Sequence, residues 1–207
     1  MSYLQFREGL LPFHVFSIKD VQKRFPGLDT RRLVEWQKKE YISKLTNRWY
    51  LFTEIEKNEP LLYRISNCLC KPSYISLESA LSYYNLIPES VYSIQAITTK
   101  KTLLYETPAG TFNYRTIKPS LFFGYQALHI NELPVLIAEK EKAILDYFYL
   151  NPRIKDEKDI AAVRLSKTGT EDMDWNKFSH YLAVFDNKAL NRRIEILKSF
   201  LSGVNSK

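Results

Sequence analysis

The sequence contains few of the residues from which disulfides, metal sites and phosphate-binding loops are built. Its 207 residues include two cysteines, three histidines and six glycines. Cys68 and Cys70 lie two positions apart and would face different sides of a helix, so we expect no disulfide framework and a reducing, cytoplasmic compartment. The pair could take part in a soft-metal site, but without further ligands small buried core residues are the simpler interpretation.

Motifs of catalytic and metal-binding proteins are also missing. His14, His129 and His180 lie in separate regions, and none has a histidine or cysteine three or four positions later, as a helical metal pair would. The sequence holds no GxSxG, GxGxxG or GxxxxGK[ST] motif. The acidic pairs at 156–157 and 171–172 are typical of helix starts or solvated loops. We therefore expect no catalytic residue, no metal and no cofactor.

The chain has no long apolar run. Runs such as LPVLIA at 133–138 are far shorter than the roughly 20 residues of a membrane helix, so we expect no membrane partner. Arg7 and Glu8 interrupt the apolar pattern near the N-terminus, and no small-residue cleavage site follows, so we expect no signal peptide. With 45% hydrophobic residues, the chain can bury a core, and its length suits one or two domains.

The charge that is present is mostly positive and unevenly distributed. The formal net charge is +7 and the pI is about 9.2. Residues 17–48 contain nine Lys or Arg and four Asp or Glu, a local net charge of +5. Most of the excess therefore lies in one short segment. This points to a polyanionic partner, although many basic proteins bind no nucleic acid.

The first 55 residues have the pattern of three helices followed by a β-hairpin. The first helix begins near Tyr3, and the second is capped by Ser17 with Asp20 as the partner in a capping box. Pro26 and Gly27 end the second helix. This order, three short helices and then a two-stranded ribbon, is that of a winged helix-turn-helix.

In that arrangement the third helix would enter the major groove of DNA and the hairpin would form the wing. The third helix spans about 31–40, with Asp29 or Thr30 as its cap. Strand-like runs at 41–45 and 48–52 follow, joined by a tight turn. The residues that we assign to packing are Leu33, Trp36, Tyr41, Trp49 and Leu51.

The charged face of the third helix supplies the candidate DNA contacts. Basic groups on a groove-sized helix bind phosphates and can read guanine edges. Because the N-terminal part of a recognition helix points at the bases, the candidate base readers are Thr30, Arg31, Arg32 and Glu35. The candidate phosphate-binding and wing residues are Lys38, Lys39, Lys44, Asn47 and Arg48. The alternative is an ordinary three-helix bundle with a solvated charged face; the element order and the local charge favour DNA.

The second half has a different pattern. Residues 53–60 are polar and end in Pro60, and we interpret them as a link between predicted domains at 1–58 and 59–207. Helical patterns cover 61–70 and a segment capped by Ser76. Strand-like runs then occupy 91–99, 101–107, 110–117 and 121–128. The run at 133–138 is either a further strand or a lead-in to the helix at 139–150, and the chain beyond is helical.

The predicted fold class is therefore α+β, with an N-terminal winged helix-turn-helix followed by an α+β domain of mostly antiparallel sheet and C-terminal helices. Aromatic residues are plentiful at 73–126 and could form a base-stacking platform. Strand alternation makes core packing the stronger interpretation. Arg115 with Lys100 and Lys101 leaves a second basic surface open.

Three segments of the second half occur in a distinctive order: YISLESAL at 74–81, GTFNY at 110–114 and EKAILD at 141–146. Together with the predicted winged helix, they resemble the AbiEi family of abortive-infection antitoxins. The resemblance covers about 1–150 and is strongest at 72–146. The tail beyond 150 carries no matching motif.

The resemblance implies a function that composition does not. Such proteins are antitoxins of type IV toxin–antitoxin systems, in which the winged helix represses its own operon by binding inverted repeats in double-stranded DNA. The second domain counteracts a nucleotidyltransferase-like toxin encoded next door, and this need not involve a stable complex. No catalytic residue carries over.

Two other functions stay open on the residues alone. One is a winged-helix transcriptional regulator whose C-terminal half senses a ligand or dimerises. The other is a nuclease with a winged-helix targeting arm, for which the sequence offers no clustered ligands.

Overall fold

The structure, a computed structural model, describes residues 1–89 and 92–203. The fold is mixed α+β and contains one three-stranded and one six-stranded sheet within this part of the chain. The first residue of the predicted strand at 91–99, Val91, lies outside the described residues. The N-terminal helices are α1 (Tyr3–Leu10), α2 (Ile18–Arg24) and α3 (Arg31–Lys38), and the strands are β1 (Val15–Ser17), β2 (Ile42–Lys44) and β3 (Trp49–Phe52).

The order of helices and hairpin in the first half follows the prediction, with one addition. Strand β1 precedes α2 and pairs antiparallel with β3, which also pairs antiparallel with β2. The predicted two-stranded ribbon is therefore a three-stranded sheet, in the order β1-β3-β2. Three residues are too few to show a period of two, which is why the sequence pattern misses β1.

Side chains at the helix ends set the positions of α2 and α3. The predicted capping box is confirmed: the backbone N–H of Ser17 donates to the Asp20 carboxylate at 2.7 Å, and the backbone N–H of Asp20 donates to the Ser17 hydroxyl. After α2 the chain turns at Gly27, whose φ of 85° favours glycine. For α3 the side chain that caps is Asp29, which accepts from the Arg31 backbone at 2.9 Å. Thr30 makes no side-chain cap.

The second half surrounds the six-stranded sheet with helices. Its helices are α4 (Glu59–Leu69), α5 (Leu77–Tyr83), α6 (Lys140–Leu150), α7 (Glu157–Val163), α8 (Trp175–Phe185) and α9 (Lys188–Ser202). Its strands are β4 (Ser73–Ile75), β5 (Ser93–Thr98), β6 (Leu103–Thr107), β7 (Gly110–Thr116), β8 (Tyr125–Ile130) and β9 (Leu133–Ala138). The strand order is β6-β7-β5-β4-β9-β8. Three pairings are antiparallel and two, β4–β9 and β5–β7, are parallel, so the sheet is mixed.

Several predicted boundaries move in the structure. Helix α4 begins at Glu59, capped by the Asn58 side chain, so Pro60 lies in its first turn rather than at the end of a linker. Strand β8 begins at Tyr125 rather than at residue 121, and residues 119–121 form a 3₁₀ turn. The run at 133–138 is the strand β9.

The three-stranded sheet has apolar side chains on both faces. Successive residues of a strand point to opposite sides. Tyr50 and Phe52 of β3 join a core with the N-terminal helices, whereas Leu51, with Val15 of β1, joins the core of the second half. The sheet therefore lies between the N-terminal helices and the second half.

Candidate nucleic-acid interface

The exposed face of α3 and the turn between β2 and β3 carry the residues predicted to contact DNA. All nine are exposed: Thr30, Arg31, Arg32, Glu35, Lys38, Lys39, Lys44, Asn47 and Arg48. On the opposite side of α3, Leu33 and Trp36 are 2% and 4% exposed. The helix thus separates an apolar face from a charged face, as its sequence predicts.

Aromatic packing holds α3 in place beneath this surface. The Trp36 ring lies 4.4 Å from the Phe6 ring and 5.7 Å from the Tyr3 ring, measured between centroids. Tyr41, assigned to packing, is 40% exposed, although its ring centroid lies 4.3 Å from that of Tyr3. Trp49 is half-buried. The charged side chains of α3 therefore project from a helix whose other face is packed against aromatic rings.

The two candidate arginines already have partners in the free protein. The Arg31 guanidinium donates to the Asp29 carboxylate through Nε at 2.8 Å, and its Nη2 lies 2.7 Å from the same oxygen. This hydrogen bond lowers the pKa of Asp29 and raises the pKa of Arg31. Arg32 donates to the Met1 carbonyl. Both arginines are exposed, so DNA could replace either partner.

The candidate phosphate-binding residues differ from the two arginines in their contacts. In the part of the chain that the structure describes, Lys38, Lys39, Lys44 and Arg48 form no ion pair. The β2–β3 turn that carries Arg48 is tied down by its backbone: the Arg48 carbonyl accepts from Ile18 at 3.0 Å, and the Leu45 N–H donates to the Trp49 carbonyl at 2.9 Å. Exposed cations at the end of α3 and beside an anchored turn are suited to phosphate contacts.

One exposed residue of α3 was not among the predicted contacts. Val34 is 52% exposed and lies three residues after Arg31 and four before Lys38, on the same side of the helix. An apolar side chain at this position can contact a thymine methyl group. The helical spacing could have identified Val34, because it falls outside the stripe that contains Leu33 and Trp36.

In the second half, two of the segments that resemble the antitoxin family meet in a buried polar network. The Asp146 carboxylate accepts from the Tyr74 hydroxyl at 3.0 Å and from the Ser76 hydroxyl at 2.9 Å, and it forms an ion pair with Lys142. The Lys142 ammonium also donates to the Tyr74 hydroxyl at 3.0 Å. Ser76, predicted to cap α5 with its side chain, binds Asp146 instead.

Burial shifts the pKa values of both charged groups in this network. Side chains of Lys142 and Asp146 are fully buried. Loss of water lowers the pKa of Lys142 and raises the pKa of Asp146, and the attraction between the two groups opposes both shifts. The network joins α6 to β4 in the core.

The third segment also contributes to the core. Phe112 and Tyr114 are fully buried, and the Tyr114 hydroxyl donates to the Ser66 carbonyl at 2.7 Å. Most of the aromatic residues at 73–126 are likewise buried or half-buried rather than displayed as a platform. Arg115 donates to the Leu150 carbonyl and to Asn151 at the end of α6, so the second basic surface loses this residue.

The last features of the described residues concern the cysteines, metal ligands and the apolar character of the helices. Cys68 and Cys70 are buried and unpaired as a disulfide. Among residues 1–89 and 92–203, no three His, Cys, Asp or Glu side chains lie together in a way that could hold a metal ion. Over the same ranges, none of the helices has the length and apolar character needed to span a membrane.

No protein-family model matches the sequence, and no curated protein matches it either.

Proposed function

We propose that the chain is a DNA-binding antitoxin of the AbiEi type, which acts in the cytoplasm and represses its own promoter. The observation that carries the DNA-binding part is the arrangement of α3 and the β2–β3 turn. Every predicted contact is exposed there, whereas the other face of α3 is buried. A groove-sized helix with cations on its outer side is suited to double-stranded DNA.

The proposal includes a winged helix for the first half. Three helices, a two-stranded ribbon after the third of them, and a short strand that pairs with the ribbon support this assignment. In it, α3 is the recognition helix and the turn at Thr46, Asn47 and Arg48 is the tip of the wing. Inverted repeats in the operator would be read by α3 of two molecules.

The DNA-binding part is tested by substituting the two candidate arginines. Arg31→Ala and Arg32→Ala are each expected to weaken binding to the chain's own promoter by roughly 5- to 150-fold if the arginine reads a base. Fluorescence anisotropy with labelled promoter DNA at fixed salt measures this change. Unchanged affinity in both variants would contradict the assignment of α3.

Asp29→Asn is the matched variant with the opposite expected result. The asparagine oxygen can still cap α3, but the anion that holds Arg31 is gone, so promoter affinity should rise by about twofold to tenfold. A rise in Asp29→Asn that disappears when Arg31 is also replaced by alanine would show that Arg31 is the group released.

The antitoxin part rests on the resemblance and is supported by how its segments assemble. Tyr74, Ser76, Lys142 and Asp146 come from two of those segments and bind one another in the core. Co-expression with the nucleotidyltransferase-like toxin from the neighbouring gene should restore growth. The Arg32→Ala variant, expressed from an unrelated promoter, should also restore growth because the second half is unchanged. Absence of rescue by both proteins would overturn the antitoxin role and leave DNA binding intact.

A further inference from the structure

A cavity of about 600 Å³ opens on the second half between α4, β4 and the β8–β9 hairpin. Its origin is the short length of β4. This strand pairs with β9 at Ile75 and Ile137, whereas β9 extends back to Leu133. Along that extension, Leu136 bonds to the Asn67 side chain of α4 instead of to a strand. Its backbone N–H donates to the Asn67 amide oxygen at 2.7 Å, and its carbonyl accepts from the Asn67 amide nitrogen at 3.3 Å. The sheet is therefore open at this point.

The lining of the cavity combines apolar side chains with positive charge. The apolar part is formed by Pro72, Phe122, Tyr125, Ala127, Pro134, Val135 and Leu136. The Tyr125 ring stacks on that of Tyr74 with 4.9 Å between centroids and 14° between planes, which fixes its orientation. Arg64 and Lys71 are the cations at the cavity, and none of the described residues that line it is acidic.

The size and chemistry of this cavity are those of a small-molecule site. Ligand pockets typically measure about 300–1,000 Å³ and combine apolar walls with a few polar groups that orient the ligand. Stacked aromatic rings favour a flat ligand, and two cations in a lining whose described residues include no acid favour an anion. Lys71 also lies 5.9 Å from the centre of the Trp49 ring in β3, so the cavity adjoins the three-stranded sheet.

We propose that this cavity binds a small organic anion with a flat, apolar body. The rings of Phe122 and Tyr125 contact the body, and Lys71 and Arg64 contact the anionic group. This proposal is independent of the proposed function, because it concerns a site that the DNA-binding residues do not line.

Anilinonaphthalene sulfonate is a suitable probe, since it joins flat aromatic rings to one sulfonate. The native full-length chain should bind about one molecule, with a rise in probe fluorescence that saturates. Phenylnaphthylamine has the same rings without the sulfonate and should bind at least about fivefold more weakly, because it cannot pair with Lys71 or Arg64.

Two variants locate the binding site. Ala127→Trp places a large side chain in the cavity and should weaken probe binding by at least about tenfold, whereas Ala161→Trp on exposed α7 should not. Lys71→Met should weaken binding by about fivefold, with Lys158→Met on α7 as the control. Circular dichroism confirms that each variant is folded.

Absence of saturable binding to the native chain would overturn the proposal. Unchanged probe affinity in both Ala127→Trp and Lys71→Met would also overturn it, because the probe would then be bound elsewhere. Loss of affinity in these two variants, with the controls unaffected, would support the cavity as an anion site whether or not the chain binds DNA.

Discussion

Lys142→Met is expected to lower the free energy of unfolding by about 3–5 kcal/mol, because removal of one member of a buried ion pair leaves the other charge without compensation. Lys142 and Asp146 are fully buried. Without the ammonium group, the donors left to the Asp146 carboxylate among the described residues are the hydroxyls of Tyr74 and Ser76. Urea denaturation followed by circular dichroism measures the change.

A double variant and a surface variant test whether the loss of stability comes from the uncompensated charge of Asp146. Lys142→Met with Asp146→Leu removes both charges and should be less destabilised than Lys142→Met alone, since no buried charge remains. Lys158→Met on exposed α7 should change stability by less than about 0.5 kcal/mol. A double variant less stable than Lys142→Met would contradict this explanation, because both variants lack the ion pair and only Lys142→Met keeps an uncompensated buried carboxylate.

Replacement of the four candidate phosphate-binding residues by alanine is expected to produce the largest loss of promoter affinity. Each phosphate contact releases counterions, so the slope of log affinity against log salt changes by about 0.9 per contact. Loss of all four contacts should make the slope shallower by about 3.6. Binding titrations at several salt concentrations measure it. The four substituted residues are Lys38, Lys39, Lys44 and Arg48.

A control with the same change in net charge separates contact from general attraction. The control variant carries alanine at four exposed lysines outside the first half, and its salt slope should stay close to that of the unmodified chain. Equal slopes for the two variants would mean that these four residues bind no phosphate. The control positions are Lys118, Lys155, Lys158 and Lys188.

Features set by neighbouring residues could be predicted from the sequence. The capping box of Ser17 and Asp20 and the helices near it depend on local contacts, and the structure has them. Helix α6 was predicted to within one residue at its start. By contrast, β1 and β4 are three residues long and exist only because distant strands pair with them.

The candidate site also has features that the sequence pattern predicts and features that it does not. Exposure of the α3 cations follows from helical periodicity, so it could be predicted. The pairing of Arg31 with Asp29 depends on rotamers, which the pattern does not specify. The network around Asp146 joins residues as far as 72 positions apart in the sequence. Neither charge pattern nor periodicity contains information about such a contact; the resemblance marked its members without showing that they touch.

The sheet shared by both halves limits how the protein can be rearranged. Val15 and Leu51 are 2% and 0% exposed because the second half covers them. A fragment that ended at residue 58 would present both side chains to water. The first half is therefore a poor candidate for transfer between proteins as an interchangeable cassette. Recombination that gives the chain a new operator specificity is expected to replace the surface residues of α3 and leave the sheet behind it in place.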